Sequence, residues 1–338
     1  MKAINKGVAN ARDWKPAENL PRAVDALKSA RKVLITMHRG PDGDALGSAL
    51  ALACALRELG REVTVYNPDE LPYNFRFLRG ASDVAKSVPG DAAFDVTVVT
   101  DAGTVERLGP DVPQPDRRGV LLNLDHHVTT EPFGDVNYVD PEAASVGILA
   151  YKIIKQLGAP LSRDAAECIY ASILADTGCF RYSSTDPECL RIAAELVEAG
   201  VEPWEMTVRI YEQQPLARMR LLADVLSTLE VHGKLATITI TNAMVAKTGS
   251  ETDLTDGFIN YARSVDGVEV AASFREPLDG GAWHVSFRSR GRVNVAAIAQ
   301  KFGGGGHHNA AGCSIDGDER SVRARIADEI EEALKNDA

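Results

Sequence analysis

The sequence predicts an α/β protein of two domains. The first is an N-terminal parallel sheet with helices on both faces. The second is a smaller C-terminal mixed-sheet α/β domain, and the functional site is expected in the cleft between the two. Three observations carry this reading. Short continuous apolar runs alternate with helical segments over residues 32–130, the pattern of strands buried on both faces. Three of those runs end directly in aspartate or histidine. Beyond residue 226 strands recur with few helices between them, and a length of 338 residues suits two domains of ordinary size.

In order along the chain, KVLITM (32–37) reads as a buried strand and 45–59 as a helix that stops at Gly60. EVTVY (62–66), DVTVVT (95–100) and VLLNL (120–124) read as further strands of the same sheet. Helical patterns follow at 145–158, 164–176 and 187–200, the last with Thr185-Asp186-Pro187 as a capped start. From 201 to 225 the helical pattern is interrupted by Pro203, Gln213, Gln214 and Pro215. This stretch is expected to connect a domain at 1–200 to one at 226–338. The second domain has strands at 235–241, 268–274 and 283–289, a helix at 295–302, a glycine run and a short strand at 313–315. Val322, Ile326 and Ile330 recur at i+4, so a terminal helix should lie flat on this domain.

Composition excludes several classes. With 45% hydrophobic residues the chain can bury proper cores. A net charge of −11, from 48 acidic and 37 basic residues, disfavours a grip on long duplex nucleic acid. The five cysteines form no CxxC pair, as expected of a reduced cytoplasmic protein without a structural zinc site. The N-terminal MKAINKGVANARDWK lacks the apolar core of a signal peptide, and the longest apolar run, 49–56, is too short to span a bilayer. A soluble cytoplasmic protein without membrane contact is therefore expected.

The chemistry-bearing residues sit at the ends of predicted strands. His38 follows the 33–37 run, Asp101 the 96–100 run, and Asp125-His126-His127 the 120–124 run. Ligand sites of open α/β sheets lie outside the carboxyl ends of their parallel strands. Asp42 and Asp44 follow in the glycine-turned stretch HRGPDGDALGSAL, and Asp176 ends the helix ILAD. Each residue has a plain structural reading: Asp101 as a turn residue, Asp42 and Asp44 as helix caps, His126-His127 as a surface pair. All four groups meeting at one sheet edge instead points to a metal site. Aspartate and imidazole without thiolate suit Mn²⁺, with Mg²⁺ or Fe²⁺ as looser fits. So many carboxylates exceed what one ion needs and suit two divalent cations bridged by a carboxylate and a water. An EF-hand fails, because the twelfth position counted from Asp42 is Ala53, and GGGGHH lacks the Lys-Ser/Thr of a Walker A loop.

In the second domain Gly304, Gly305 and Gly306 precede His307 and His308. Consecutive glycines let backbone N–H groups approach an anion. Arg275, Arg288, Arg290, Arg292 and Lys301 outnumber nearby acids, which marks a local phosphate-binding surface. Arg288, on a strand, is the best-placed fixed guanidinium.

HRGPDGDALGS (38–48), VVTDAG (98–103), LDHH (124–127), ILADTGCFRY (173–182) and FGGGGHHNAAG (302–312), in that order and over nearly the whole chain, resemble the successive motifs of the DHH phosphoesterase family with its C-terminal associated domain. The closest type is the short stand-alone members, the nano-RNase and pAp phosphatase kind. The resemblance implies that His38, Asp42 and Asp101 hold one ion. Asp44, Asp101, His126 and Asp176 would hold the other, with Asp101 bridging. It implies catalytic parts for His127, facing the substrate phosphate, for Asp101, and for Asp125, orienting a histidine. Arg288 and His307 would contact substrate, with the glycines beside them. Arg181 and Tyr182, just past Asp176, are candidates to touch a nucleotide, Tyr182 by stacking, against the reading of an aromatic packed on a helix.

The implied activity is Mn²⁺-dependent hydrolysis of short oligoribonucleotides to 5′-mononucleotides from the 5′ end, by in-line attack of a bridging hydroxide. A pAp 3′-phosphatase and a cyclic di-AMP or pApA phosphodiesterase are the alternatives, and a non-catalytic nucleotide sensor ranks lower. Expected partners are short single-stranded RNA, dinucleotides and pAp; a homodimer is one assembly left open.

Overall fold

The computed structural model describes residues 14–249, 252–278 and 280–336. The chain divides after Gln213 into two compact units. The first begins with α1 (Pro16–Ser29), then β1 (Lys32–Met37), α2 (Gly43–Glu58), β2 (Glu62–Tyr66), β3 (Val96–Thr100), β4 (Val120–Asp125) and β5 (Val136–Val139). Helices α3 (Val146–Leu157), α4 (Arg163–Asp176), α5 (Pro187–Glu198) and α6 (Pro203–Thr207) follow, α6 running on as a π-helical turn to Glu212. The five strands are all parallel, in the order β2-β1-β3-β4-β5.

β1 and β3 are central and almost fully buried, which is why KVLITM and VTVVT read as unbroken apolar runs. Val33, Ile35, Val98 and Leu122 face α1 to α4 in the main core, whose helical side includes Leu27, Leu46, Leu50 and Ile169. The opposite face, where helices were also expected, is closed by loops carrying Phe94, Leu108, Val112 and Phe133, with a 3-10 turn at Val105–Arg107. Pro89, Gly90, Gly109, Pro110, Pro113 and Pro115 keep those connections from running as helices. The strand β5 carried no expectation. Its four residues VNYV are too short and too mixed for a periodicity to register.

The second unit holds α7 (Leu216–Leu226), β6 (Glu230–His232), β7 (Leu235–Ile240), α8 (Asn242–Thr248), α9 (Ile259–Arg263), β8 (Val270–Arg275) and β9 (Trp283–Ser289). It ends with α10 (Val295–Lys301), β10 (Gly305–His307), β11 (Ala310–Ile315) and α11 (Glu319–Asn336). Its sheet runs β10-β11-β9-β8-β7-β6, with only β7 and β8 parallel. One face packs on α10 and α11, and Val322, Ile326 and Ile330 are fully buried there. On the other face α7 and α9 cover β7 and part of β8. The stretch 201–225 is therefore helical, with α6 in the first unit and α7 in the second. Among the described residues no helix is long and apolar enough to cross a membrane.

Candidate metal centre

Three adjacent parallel strands deliver the site. His38 directly follows β1, Asp101 directly follows β3, and Asp125 ends β4 with His126 and His127 behind it. Parallel neighbours end at the same edge, so sequence-distant residues converge. Asp101 takes a left-handed φ of 58°, a costly conformation for a non-glycine residue, and its backbone N–H is anchored to Leu124 O at 2.9 Å. Asp42 caps α2, accepting from Asp44 N and Ala45 N at 3.0 Å, so its capping role and its place in the cluster coexist. Asp44 lies in the first turn of α2 and Asp176 closes α4. The two helices cross at Gly47, where a Cβ would come 2.5 Å from Cys168 O. That approach brings Asp44 and Asp176 to one side of His126.

The resulting distances form two overlapping nests. His38 Nε2 lies 3.4 Å from Asp101 Oδ2 and 3.9 Å from Asp42 Oδ1. His126 Nε2 lies 3.1 Å from Asp176 Oδ2, 3.7 Å from Asp44 Oδ2 and 3.9 Å from Asp101 Oδ1. His38, Asp42 and Asp101 make one group of potential ligand atoms within 4.8 Å of each other, Asp44, His126 and Asp176 another, and a third, Asp101, His126 and His127, joins the two. Asp101 stands between them. Backbone carbonyls set both rings: His38 Nδ1 donates to Arg39 O at 2.8 Å and His126 Nδ1 to Ala143 O at 3.0 Å. A carbonyl only accepts, so Nδ1 carries a proton and Nε2 is the ring atom turned to the carboxylates, the usual orientation of a metal-binding imidazole.

His127 differs. Its Nδ1 donates to Asp125 Oδ1 at 2.7 Å, and Asp125, fully buried, also accepts from His126 N at 2.8 Å and from the hydroxyl of Thr130. Nδ1 also lies 3.4 Å from Asp101 Oδ1. The adjacent histidines thus have different partners, a distinction the dipeptide alone did not contain. Three further hydroxyl groups that the sequence did not mark are Thr130, Ser145 and Ser172. Ser172 Oγ donates to Asp44 Oδ1 at 2.6 Å and sits 2.9 Å from Ser145 Oγ. Val146 N also donates to Asp44 Oδ2 at 2.8 Å. Ser145, Val146 and Ser172 come from 101 to 128 residues beyond Asp44, and Thr130 from the turn five residues after Asp125, so no local motif announces them.

The electrostatics fit bound cations. Burial, with the charges of Asp176 and Asp101, pushes the Asp44 carboxyl well above its ordinary range, and burial pushes Asp176 up as well. Against the desolvation that burial imposes, Asp101 and Asp42 raise His38 to about 10, and Asp176 with Asp44 raises His126. Carboxylates that repel one another and imidazoles drawn toward the cationic form describe a cluster short of positive charge. Asp101 Oδ1 is buried without a hydrogen-bond donor, which costs free energy unless a cation faces it. The donor set of carboxylate and imidazole fits divalent metal ions. His38, Asp42, Asp44, Asp101, His126 and Asp176 are the residues placed to hold them.

The remaining sequence candidates sit elsewhere. The turn after Asp176 runs through three left-handed residues, Gly178, Cys179 and Phe180, with φ of 56°, 62° and 60°. Arg181 Nε donates to Gly178 O at 2.5 Å, and the Tyr182 ring covers Gly178 so closely that a Cβ there would meet it at 2.4 Å. Both side chains thus brace their own turn. In the second unit GGGGH is not a free loop, because Gly305–His307 forms β10, paired with Ala310–Gly312 of β11. A Cβ on Gly304 would meet Gly312 O at 2.1 Å and one on Gly306 would meet Ala310 O at 2.5 Å, whereas Gly305 faces open space. Two of the glycines are therefore required by strand packing alone.

The basic cluster disperses as well. Arg290 donates to the carbonyls of Arg263, Ser264 and Val265 behind α9, and Lys301 pairs with Glu329 on the helical side. Arg290 lies past the end of β9 and Lys301 on α10, so neither is held to the sheet face that Arg288 occupies. Arg288 remains on the open sheet face, half-buried, with Nη1 on Phe287 O at 2.9 Å. Among the described residues no carboxylate lies within ion-pair distance of it.

The model of the DHH family N-terminal domain matches residues 32–173, and that of the DHHA1 domain matches residues 236–336. The chain is 35% identical over 330 residues to the bifunctional oligoribonuclease and PAP phosphatase NrnA of Thermus thermophilus, covering 96% of this chain and 97% of that one. It is 29% identical to the protein of the same name from Bacillus subtilis, over 84% of this chain and 89% of that one. Among solved structures it superposes on an exopolyphosphatase-related protein from Bacteroides fragilis with a TM-score of 0.85 at 26% identity, over 94% of this chain and 96% of that one. With acids and imidazoles at three strand ends and both domain models matched in order, the chain belongs to the DHH phosphoesterase family.

Proposed function

We propose that the protein hydrolyses short oligoribonucleotides from the 5′ end to 5′-mononucleotides and also removes the 3′-phosphate of pAp. The observation that carries the reading is the linked carboxylate and imidazole nests, with Asp101 in one and against His126 of the other, a donor set that suits two-metal phosphoester hydrolysis. The printed names of the relatives, which join the two activities, support it. Catalysis is assigned to residues 1–200 and substrate recognition to residues 226–338, joined by 201–225.

The metals are proposed to be two Mn²⁺ ions, one on His38, Asp42 and Asp101 and the other on Asp44, Asp101, His126 and Asp176. When bound, such ions supply positive charge against the phosphoryl oxygens and lower the pKa of attacking water. The protein's own residues do the rest. Val146 N and Ser172 Oγ occupy Asp44 from behind and hold its orientation. Asp125 takes the Nδ1 proton of His127 and favours the cationic ring, whose Nε2–H can donate to a phosphoryl oxygen, where charge develops in the transition state. Arg288, with no carboxylate partner among the described residues, is proposed to hold a substrate phosphate, with His307 and Gly305 of β10, one strand beyond β11, as further substrate contacts. A cytoplasmic location agrees with five cysteines that form no disulfide.

The test is a product time course with Mn²⁺ and then with chelator, on 5′-labelled RNA 2-mer, 5-mer and 20-mer, with pAp and cyclic di-AMP in parallel. Chelator-sensitive mononucleotide release, fast on the 2-mer and slow on the 20-mer, is the expected result. Turnover of cyclic di-AMP alone, or of no substrate, would overturn the reading.

A further inference from the structure

Asp44 and Asp176 stand together against His126 Nε2, yet they come from different helices and carry like charge. Like charges side by side repel, so the surrounding fold has to hold them. A closed ring of contacts around the ends of α2 and α4 does this. A Cβ on Gly43 would meet the Phe75 ring at 2.3 Å and the Ala175 Cβ at 2.8 Å, so the start of α2, the end of α4 and Phe75 meet at one point. Gly43 sits between Asp42 and Asp44, and Ala175 directly precedes Asp176. Phe75 belongs to the 3-10 turn Tyr73–Phe75, whose Asn74 Nδ2 donates to Ile210 O at 3.2 Å. Ile210 lies in the π-helical turn Val208–Glu212. The next residue closes the ring, because the Tyr211 hydroxyl donates to Leu174 O at 2.8 Å, two residues before Asp176.

The Tyr211 bond falls at the base of a strained turn. Leu174 O also accepts from Cys179 N at 2.8 Å, and Cys179 and Phe180 are left-handed, with φ of 62° and 60°. Among the described non-glycine residues this conformation occurs only there and at Asp101, all at the metal centre. Such residues keep their shape only where the surrounding contacts over-determine it. Thr177, Arg181 and Tyr182 brace the turn from within, and Tyr211 braces it from outside. A π-helical turn is rare and is found frequently at functional sites. This one sends Ile210 O to Asn74 and the Tyr211 hydroxyl to Leu174, so a single turn of chain ties together the two segments that carry the acids.

We propose that Tyr211 is a positioning residue for the metal centre: with Asn74 and Phe75 it clamps the ends of α2 and α4, and so sets how tightly the ion at Asp44 and Asp176 is held. This rests on the reading of those two acids as ligands of one ion. It adds that the acids are gathered before any ion arrives, by a hydroxyl that touches neither metal nor substrate.

The experiment uses the full chain stripped with chelator, as wild type, Tyr211→Phe, Asn74→Ala and Tyr151→Phe. The last is a control that removes a hydroxyl hydrogen bond between α3 and α5, made to Glu195. Three quantities are read: Mn²⁺ affinity by calorimetric titration, amide exchange of residues 174–182 in the metal-free protein, and kcat and KM on a dinucleotide across Mn²⁺ concentrations. Tyr211→Phe should weaken one of two Mn²⁺ sites about tenfold, the lower end of what outer partners of a metal ligand contribute. Exchange at Gly178 and Cys179 should quicken severalfold without metal. At limiting Mn²⁺ kcat should fall with KM unchanged, and it should return at saturating Mn²⁺. Asn74→Ala, which cuts the same ring elsewhere, should weaken the same site. Tyr151→Phe should keep the wild-type Mn²⁺ affinity. Wild-type affinity and exchange in Tyr211→Phe, or an equal loss of affinity in Tyr151→Phe, would overturn the clamp and leave the metal-centre reading standing. A wild type that binds no Mn²⁺ would overturn both.

Discussion

Valine in place of Thr130 tests how the site holds His127. The Thr130 side chain is about 1% exposed, and its hydroxyl donates to Asp125 Oδ2, a carboxylate that is itself fully buried. Valine has nearly the same shape, so no cavity opens and the loss is confined to one donor. Asp125 keeps His126 N at 2.8 Å and His127 Nδ1 at 2.7 Å, but both reach Oδ1. Oδ2 would be left without its hydroxyl. A buried charged acceptor deprived of a donor costs on the order of 2 kcal/mol. The same freed oxygen lets the carboxylate rotate and loosens the His127 ring. Outer partners of this kind are worth about ten- to a hundredfold in activity. Urea unfolding in chelator measures the first quantity, and Mn²⁺-supported turnover of a dinucleotide measures the second. The expected pattern is a lower unfolding midpoint and a lower kcat at nearly unchanged KM, with Thr130→Ser restoring both. Wild-type values in Thr130→Val would refute the argument. Equal impairment in Thr130→Ser would place the effect in the methyl packing rather than in the donor.

Four other expectations follow from the structure. Asp101→Asn should bind fewer than two Mn²⁺ per chain in metal analysis and lose turnover. Chelation of wild type should lower its melting temperature, because ions that bind only the folded state stabilise it by mass action; an unchanged melting temperature would contradict the fit of the cluster to cations. Gly306→Ala should destabilise the second unit by about 2 kcal/mol or more, since its φ is 140° and the added Cβ would meet Ala310 O at 2.5 Å; calorimetry on the full chain would register this as an earlier transition. Asp135 accepts from Arg118 Nη1 and Leu121 N, both at 2.8 Å, and Arg118 first and then that N–H hold its pKa below the usual range. A depressed folded-state pKa contributes stability above the unfolded value of about 4 and loses it as pH falls through the folded value. The stability gap between wild type and Asp135→Asn should therefore be full at neutral pH and close below about pH 4. Because Asp135 is half exposed, solvent screens the pair and the gap should be small.

The parallel sheet and the convergence of carboxylates and imidazoles at its edge were legible in the residue order for one physical reason. Central strands buried on both faces must be continuously apolar, so KVLITM, VTVVT and VLLNL stand out, and the first polar residue after each marks the sheet edge. His38, Asp101 and Asp125 are those residues. What the order of residues could not hold was anything made by contact across the fold. Nothing in His126-His127 says that Ala143 O takes one ring and Asp125 the other, because those partners arrive with a loop 17 residues beyond His126 and with the carboxylate behind. Ser172 gives no sign that it faces Asp44 until α2 and α4 close on each other at Gly47. GGGGH looked like a flexible anion cradle, yet its strand pairing with Ala310–Gly312 requires two of the glycines for close approach alone. The run of arginines and Lys301 looked like one surface, and it parted because Arg290 lies past the end of β9 against α9 and Lys301 stands on α10, leaving Arg275 and Arg288 on one sheet face. Periodicity is a property of one segment and survives in the sequence. The partner of a side chain depends on which segments meet, and that exists only once the chain has folded.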